Sequence, residues 1–124
     1  MVRIIKFTDL DAWREAHKLT LLIYEITNKF PKSELYGLIS QLRRAAVSIE
    51  ACIAEGFSRF HYKDRLNFYY DARGSLGEVE SELIDAKDLK FIDQDVFGEI
   101  IDQTEKTGKI LGGLIRSTEK LSGR

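Results

Sequence analysis

Four separate segments of the sequence carry apolar residues at every third or fourth position, and this repetition constrains the fold more than any other feature. That spacing places the side chains on one face of an α-helix, and no segment shows the strict alternation typical of a half-buried strand. The pattern therefore predicts an all-α chain, with helices near residues 9–29, 33–57, 62–90 and 94–121. The four apolar rows are Leu10, Trp13, Ala16, Leu19, Ile23, Ile26 and Phe30; Leu35, Leu38, Leu42, Ala45, Ile49, Ile53 and Gly56; Tyr69, Ala72, Leu76, Val79, Leu83 and Ala86; and Phe97, Ile100, Thr104, Leu111, Leu114, Thr118 and Leu121.

The lengths of these segments and of the connections between them predict how they pack. The 124 residues suit one domain, residues 1–124, and four amphipathic helices with short connections favour an antiparallel up-down-up-down four-helix bundle. Thr8 or Asp9, Ser33 and Asp93 are expected to cap the first, second and fourth helices. Gly74 and the segment GKILGG at residues 108–113 are candidates for close helix contact.

The cysteine content and the lengths of the apolar runs indicate the cellular compartment. The single cysteine, Cys52, excludes an internal disulfide and fits a reducing environment. The apolar stretch at the start is too short for a signal peptide, and no apolar run approaches the ~20 residues of a membrane span. We expect a cytoplasmic protein without membrane association.

Charge is nearly balanced overall but unevenly distributed. The net charge is −1, so no overall positive field attracts nucleic acid. Between Glu78 and Glu105, however, ten acidic residues are offset only by Lys87 and Lys90. A mixed surface with one acidic flank is the simplest interpretation.

A row of varied polar residues runs along the second helix beside its apolar row, and a second row runs along the third helix. If the two helices form a hairpin that turns near Phe60, these rows face each other. We expect Arg44 to pair with Glu78, within one chain or between chains, and Glu55 to lie near Arg65. We interpret the rows as a packing seam or interface rather than as a reactive site. The seam comprises Gln41, Arg44, Ser48, Glu55, Arg59, Ser75, Glu78 and Glu82.

The sequence contains no recognisable motif for catalysis or metal binding. Di-iron bundles use Glu-x-x-His motifs, and neither His17 nor His61 follows a glutamate at that spacing. One cysteine with two distant histidines does not supply a zinc site, and there is no phosphate-binding glycine loop. The sequence predicts a protein that is not an enzyme and that has no catalytic residue, metal or cofactor.

Basic residues alternate with aromatic residues around the predicted hairpin. Such a mixture can contact phosphates and stack on bases. Acidic residues in the same stretch, from Arg43 to Arg73, reduce its net charge to +2. The candidate nucleic-acid contacts are Arg43, Arg59, Lys63, Arg65 and Arg73.

Three consecutive aromatic residues on the third helix predict self-association. Successive helical residues point about 100° apart, so Phe68, Tyr69 and Tyr70 span too wide an arc for one core-facing stripe. Tyr69 belongs to the apolar row, and at least one other ring should lie outside the core. Exposed aromatic clusters are typical of subunit interfaces. The candidate oligomer contacts are Phe60, Phe68 and Tyr70.

Three spans of the chain, "FPKSELYGLISQLRRAAVSI", "IAEGFSR" and "ARGSLGEVESEL", resemble the 23S ribosomal RNA intervening-sequence proteins, which are also called four helix bundle proteins. One departure is visible, since the family usually has asparagine where this chain has Cys52. The resemblance implies a bacterial four-helix bundle that assembles as a ring-like homopentamer, but it implies no settled activity. The accessory variability proteins of diversity-generating retroelements form a related group, and they work with a reverse transcriptase and its RNA.

Three hypotheses of function follow. The first is a non-enzymatic oligomeric accessory or scaffold protein that associates with RNA or with a nucleic-acid enzyme. The second is a protein that binds RNA or DNA on its own. The related group of accessory variability proteins implies a further alternative, an RNA- or DNA-binding accessory of a reverse transcriptase. The third is an enzyme that uses the polar seam, and it is the weakest because no catalytic motif supports it.

Overall fold

The computed structural model describes residues 3–123, and within that range the chain is a four-helix bundle without strands. The helices are α1 (Asp11–Thr27), α2 (Leu38–Phe57), α3 (Tyr62–Asp88) and α4 (Gln94–Leu121). Short 3-10 turns, Phe7–Asp9 and Lys32–Glu34, precede α1 and α2. Helices α1 and α3 each pack against both α2 and α4. The prediction of an all-α bundle is confirmed, and α4 has the predicted bounds.

One continuous core fills the space between the helices. The predicted row of α3 is buried throughout, and Tyr69 is the largest side chain that is fully enclosed. The predicted row of α2 is buried from Leu42 onward, but Leu35 is 49% exposed, and at the end of α4 Leu121 is 62% exposed. The apolar spacing therefore identified the core-facing side of each helix. Within the rows Trp13, Phe97 and Leu114 are only half-buried, and Ile115, which no row contained, lies in the core.

The start of α2 differs from the prediction, which began the helix at residue 33. The Glu34 carboxylate, rather than the Ser33 hydroxyl, accepts a hydrogen bond from the Leu38 backbone N–H, at 3.2 Å from Oε1. Gly37 allows this geometry, because a Cβ at that position would lie 2.9 Å from Glu34 Oε1. The chain therefore turns through residues 35–37 before α2 begins, and Leu35 and Tyr36 lie on the surface.

Two other predicted caps have different outcomes. Asp93 caps α4 as predicted, since its Oδ1 accepts a hydrogen bond from the Val96 N–H at 2.8 Å. Asp9 does not cap α1. Its Oδ2 accepts hydrogen bonds from the N–H groups of Ile5 and Lys6, both at 2.9 Å, and so organises the turn before the helix.

Close packing of α2 on α3 depends on Gly56 rather than on Gly74. A Cβ at position 56 would lie 2.7 Å from Tyr69 Cε1 and 3.0 Å from Phe68 Cβ, whereas nothing lies within 4 Å of a Cβ at position 74. In the GKILGG segment, Gly108 has a close neighbour on another helix, Leu76 Cδ2 at 3.2 Å. The expectation for Gly74 was wrong because that residue lies on the exposed side of α3.

We expect Gly56→Ala to destabilise the protein by about 1–3 kcal/mol, because the added methyl group must displace the enclosed ring of Tyr69. Gly77→Ala is the matched control. A Cβ at position 77 meets nothing within 4 Å, so this variant should gain about 0.5–1 kcal/mol from helix propensity. Denaturant unfolding of both variants measures the difference. A Gly56→Ala protein as stable as wild type would contradict this packing.

Candidate functional site

The predicted polar seam forms a groove between α2 and α3. Ser48 Oγ and Ser75 Oγ lie 2.9 Å apart across it, and Ser48 Oγ also lies 3.8 Å from Cys52 Sγ. Burial raises the pKa of the Cys52 thiol and outweighs the opposing effect of the Ser48 hydrogen bond, while Asp71 and Glu55 raise it further. The hairpin register is therefore as expected, and Cys52 is a packing residue in the groove rather than an activated thiol.

The ion pairs expected across this groove do not form within the chain. Among residues 3–123, no ion pair within 4.0 Å includes Arg44 or Glu78. Both side chains are exposed, and an ion pair between solvated side chains gains little. A pair between chains stays a prediction.

The other charged seam residues near the hairpin turn interact locally. Glu55 makes no ion pair with Arg65 among the described residues. Its Oε1 is instead 3.3 Å from Nη2 of Arg59, which follows the end of α2. Arg65 Nε instead donates to the carbonyl of Arg59, at 2.7 Å. These contacts close the turn between α2 and α3.

Glu82 lies half-buried at the far end of the groove. Its Oε1 is enclosed and finds no hydrogen-bond partner among the described residues. Burial raises the pKa of Glu82, and the neighbouring carboxylates of Glu78 and Asp85 raise it further. Gln41, the remaining seam residue, is exposed on α2.

A buried charge network lies between α1 and α4, and sequence reasoning missed it. Glu15 is 7% exposed, and its carboxylate accepts a hydrogen bond from Gln103 Nε2 at 3.1 Å. The ammonium groups of Lys18 and Lys106 lie 3.2 and 3.4 Å from its oxygens. Burial alone would raise the pKa of Glu15, but the hydrogen bonds from Gln103, Lys18 and Lys106 together lower it below its ordinary value. Only the Glu15–Lys18 spacing on one helix was visible in the sequence.

A second polar contact missed in the sequence joins α1 to α2. His17 Nδ1 lies 2.9 Å from Glu50 Oε2, and the imidazole stacks on the Trp13 ring with centroids 4.8 Å apart. Phe7 packs edge-on against Trp13 and so ties the N-terminal turn to this cluster. Within residues 3–123, no group of three or more His, Cys, Asp or Glu side chains is arranged to hold a metal ion.

The candidate nucleic-acid contacts divide into two regions. Arg59 lies over the Phe68 ring at 4.7 Å, and Arg65 lies over the rings of Phe57 and Tyr62. Lys63 is exposed at the same turn, so three of the five candidates share this end of the bundle.

The other two candidates lie away from the turn. Arg73 lies over the Tyr70 ring at 5.2 Å, further along α3. Arg43 lies on α2, 14 residues before the helix ends at Phe57, which is about 21 Å along the axis at 1.5 Å per residue. It donates to Thr27 Oγ1 and Asn28 Oδ1 and lies over the Tyr24 ring.

The candidate oligomer contacts differ in exposure. Phe60 is 86% exposed at the α2–α3 turn, whereas Phe68 is half-buried beneath Arg59. Tyr70 is also half-buried, and its hydroxyl donates to Glu119 Oε2 at 2.7 Å. Of the three, Phe60 alone is largely open to a partner.

A larger exposed apolar cluster lies at the opposite end of the bundle, where α1 ends and α2 begins. Tyr36 is 94% exposed, and Leu35, Tyr24 and Val47 are between 40% and 49% exposed. These four side chains, together with Ile39, Ser40, Arg43 and Arg44, line an open cleft of about 490 Å³. The cluster was missed because a helix beginning at residue 33 would have placed Leu35 in the core.

Comparisons with known proteins agree with this architecture. The family model for the 23S rRNA-intervening sequence protein matches residues 8–113. The chain belongs to this family. A crystal structure of a protein with unknown function from the S23 ribosomal protein family of Bacteroides thetaiotaomicron is similar, with a TM-score of 0.75 and 19% identity. The similarity covers 84% of this chain and 97% of that one, and at this identity it supports the fold alone.

The comparison with curated proteins found no match to this chain. No helix in the described part of the chain has the length and apolar character needed to span a bilayer.

Glu15→Gln should destabilise this family member by about 1–3 kcal/mol at neutral pH, because it removes a charge that two lysines and Gln103 stabilise. The lowered pKa means that the carboxylate contributes fully above its unfolded-state pKa, about 4.3. That contribution to stability is lost as the pH falls through the pKa of Glu15 in the folded state. The difference from wild type in thermal unfolding should therefore shrink in acid.

The exposed residue Glu105, also on a helix, supplies the control. Glu105→Gln should match wild type at every pH. An equal stability of Glu15→Gln and wild type at neutral pH would contradict the assigned role of Glu15.

Proposed function

We propose that this protein is a non-enzymatic accessory or scaffold protein that acts as a homo-oligomer in the cytoplasm. A ring of five chains is the assembly that its resemblance to the intervening-sequence proteins implies. In this role the oligomer associates with RNA or with an enzyme that acts on nucleic acid.

The observation that carries this proposal is the exposed cluster around Tyr36. A small monomer rarely leaves an almost fully exposed tyrosine beside further apolar side chains, and tyrosine and arginine are enriched at subunit interfaces. The Glu15 cluster between α1 and α4 and the contact of His17 with Glu50 join helices to one another. An oligomeric scaffold therefore accounts for the exposed surface without requiring a reaction.

The turn between α2 and α3 favours contact with nucleic acid as a second candidate activity. Phe60 is exposed there beside Arg59, Lys63 and Arg65, and exposed rings can stack on bases while cations contact phosphates. An oligomer repeats this turn in each chain, which increases its effective affinity. The alternative to a pure scaffold is an RNA- or DNA-binding accessory of a reverse transcriptase, the role that the resemblance to the accessory variability proteins implies.

Light scattering coupled to size exclusion tests the first part of the proposal. At micromolar concentration we expect the mass of five 14.2 kDa chains. A mass of one chain would contradict self-association, and a stable dimer would contradict the ring of five but not the oligomer.

Binding of a fluorescent stem-loop RNA with a single-stranded tail tests the second part. We expect affinity to fall steeply with salt, because phosphate contacts release counterions. A triple substitution of Arg59, Phe60 and Lys63 to Ala should weaken binding and flatten the salt slope by about one unit for each phosphate that the variant no longer binds. The control, Lys29→Ala with Lys32→Ala, changes two exposed lysines away from the turn and should bind as wild type. Unchanged binding by the triple variant would contradict the role of the turn.

A further inference from the structure

Charge is unevenly distributed at the end of the bundle that lies away from the α2–α3 turn. Residues 19–48 span the second half of α1, the connection to α2 and the first half of α2. They carry four basic and two acidic side chains. Residues 75–108, which form the second half of α3 and the first half of α4, carry ten acidic and three basic side chains. The two helix pairs therefore present opposite charge.

The first of two surfaces is the open cleft between α1 and α2, which we call the basic cleft. Its exposed apolar part consists of Tyr36, Leu35, Tyr24 and Val47. Arg43 is held by Thr27 and Asn28, so its charge is fixed at the edge of the cleft. Arg44 lies beside it, exposed and outside every ion pair of residues 3–123.

The second surface lies on the other side of α2, and we call it the acidic face. It is formed by Glu78, Glu82, Asp85 and Asp88 of α3, together with the exposed side chain of Leu89. An open cleft of about 500 Å³ runs along it, between Gln41 and Leu38 of α2 and Asp85, Asp88 and Leu89.

The carboxylates of the acidic face are poorly compensated within the chain. Glu78, Glu82 and Asp85 take part in none of the ion pairs of the described residues. Glu82 Oε1 is enclosed without a hydrogen-bond donor from that part of the chain. The face thus combines unpaired negative charge with exposed apolar area, as the basic cleft combines positive charge with exposed rings.

We propose that the basic cleft of one copy of the chain binds the acidic face of the next copy, in a head-to-tail contact. This inference rests on the self-association proposed above and specifies the surfaces that form it. Arg44 of one copy then lies opposite the carboxylates of the other, where a guanidinium can bind a carboxylate through two parallel hydrogen bonds. Tyr36 packs against the apolar side chains around Leu89.

A second copy fits these surfaces better than nucleic acid does. The acidic face repels phosphate, whereas it complements the basic cleft in both charge and apolar content. Because the two surfaces differ, every pair of chains leaves one of each open, and addition continues until a ring closes. A contact between identical patches would instead stop at a dimer.

Variants of exposed residues test this arrangement with little risk to folding. The cleft variant carries Tyr36→Ser and Arg44→Ser, and the face variant carries Glu78→Arg and Asp85→Arg. Each alone should have the mass of one 14.2 kDa chain, because neither retains a complementary pair of surfaces. An equal mixture should form a two-chain species, since the intact face of the first variant binds the intact cleft of the second.

The control variant carries Asp102→Arg and Glu105→Arg on exposed positions of α4, which changes the net charge by the same amount as the face variant does. It should assemble as wild type. Circular dichroism confirms that each variant is folded. If wild type assembles but either variant keeps the wild-type mass, or the mixture stays at one-chain mass, the head-to-tail contact is refuted while self-association stands. If wild type is itself a single chain, both proposals fail.

Discussion

The contact between α2 and α3 determines where every other feature of the surface lies. Gly56 lets the two helices approach until the ring of Tyr69 is enclosed, and the Ser48–Ser75 contact at 2.9 Å marks the resulting register. This register leaves Glu78 exposed on α3 and Glu82 half-buried beside it, while Arg44 is exposed on α2 and lines the cleft toward α1. It also sets Arg59 and Arg65 together at the turn, where they lie over aromatic rings.

Polar groups in this protein fall into two kinds, and the difference bears on function. Glu15 and Arg43 have partners within the chain and hold the bundle together. The exposed residue Arg44 and the carboxylates of Glu78 and Glu82 make no ion pair within the part of the chain that is described. Exposed tyrosine and arginine side chains are enriched at subunit interfaces, and opposite charges on two surfaces determine which surfaces associate.

Much of the fold could be predicted from the sequence, because the spacing of apolar residues directly reflects burial in a helix. The row of α3 and the cap at Asp93 were correct for this reason. The start of α2 could not be predicted from the spacing of apolar residues. There the Glu34 carboxylate and the small size of Gly37 decide where the helix begins, and the apolar Leu35 lies on the surface despite its spacing. The Glu15 network was equally hidden, since Gln103 and Lys106 reach it only once α4 packs on α1.

The most direct test of the central claim is to cross-link the basic cleft to the acidic face between chains in solution. One chain carries Tyr36→Cys and another carries Leu89→Cys, both with Cys52→Ser, and a short bis-maleimide reagent joins cysteines that lie close together. Head-to-tail association predicts covalently linked pairs when the two chains are mixed, and far fewer with either chain alone. Efficient linkage of the Tyr36→Cys chain to itself, or no linkage in the mixture, would contradict the account.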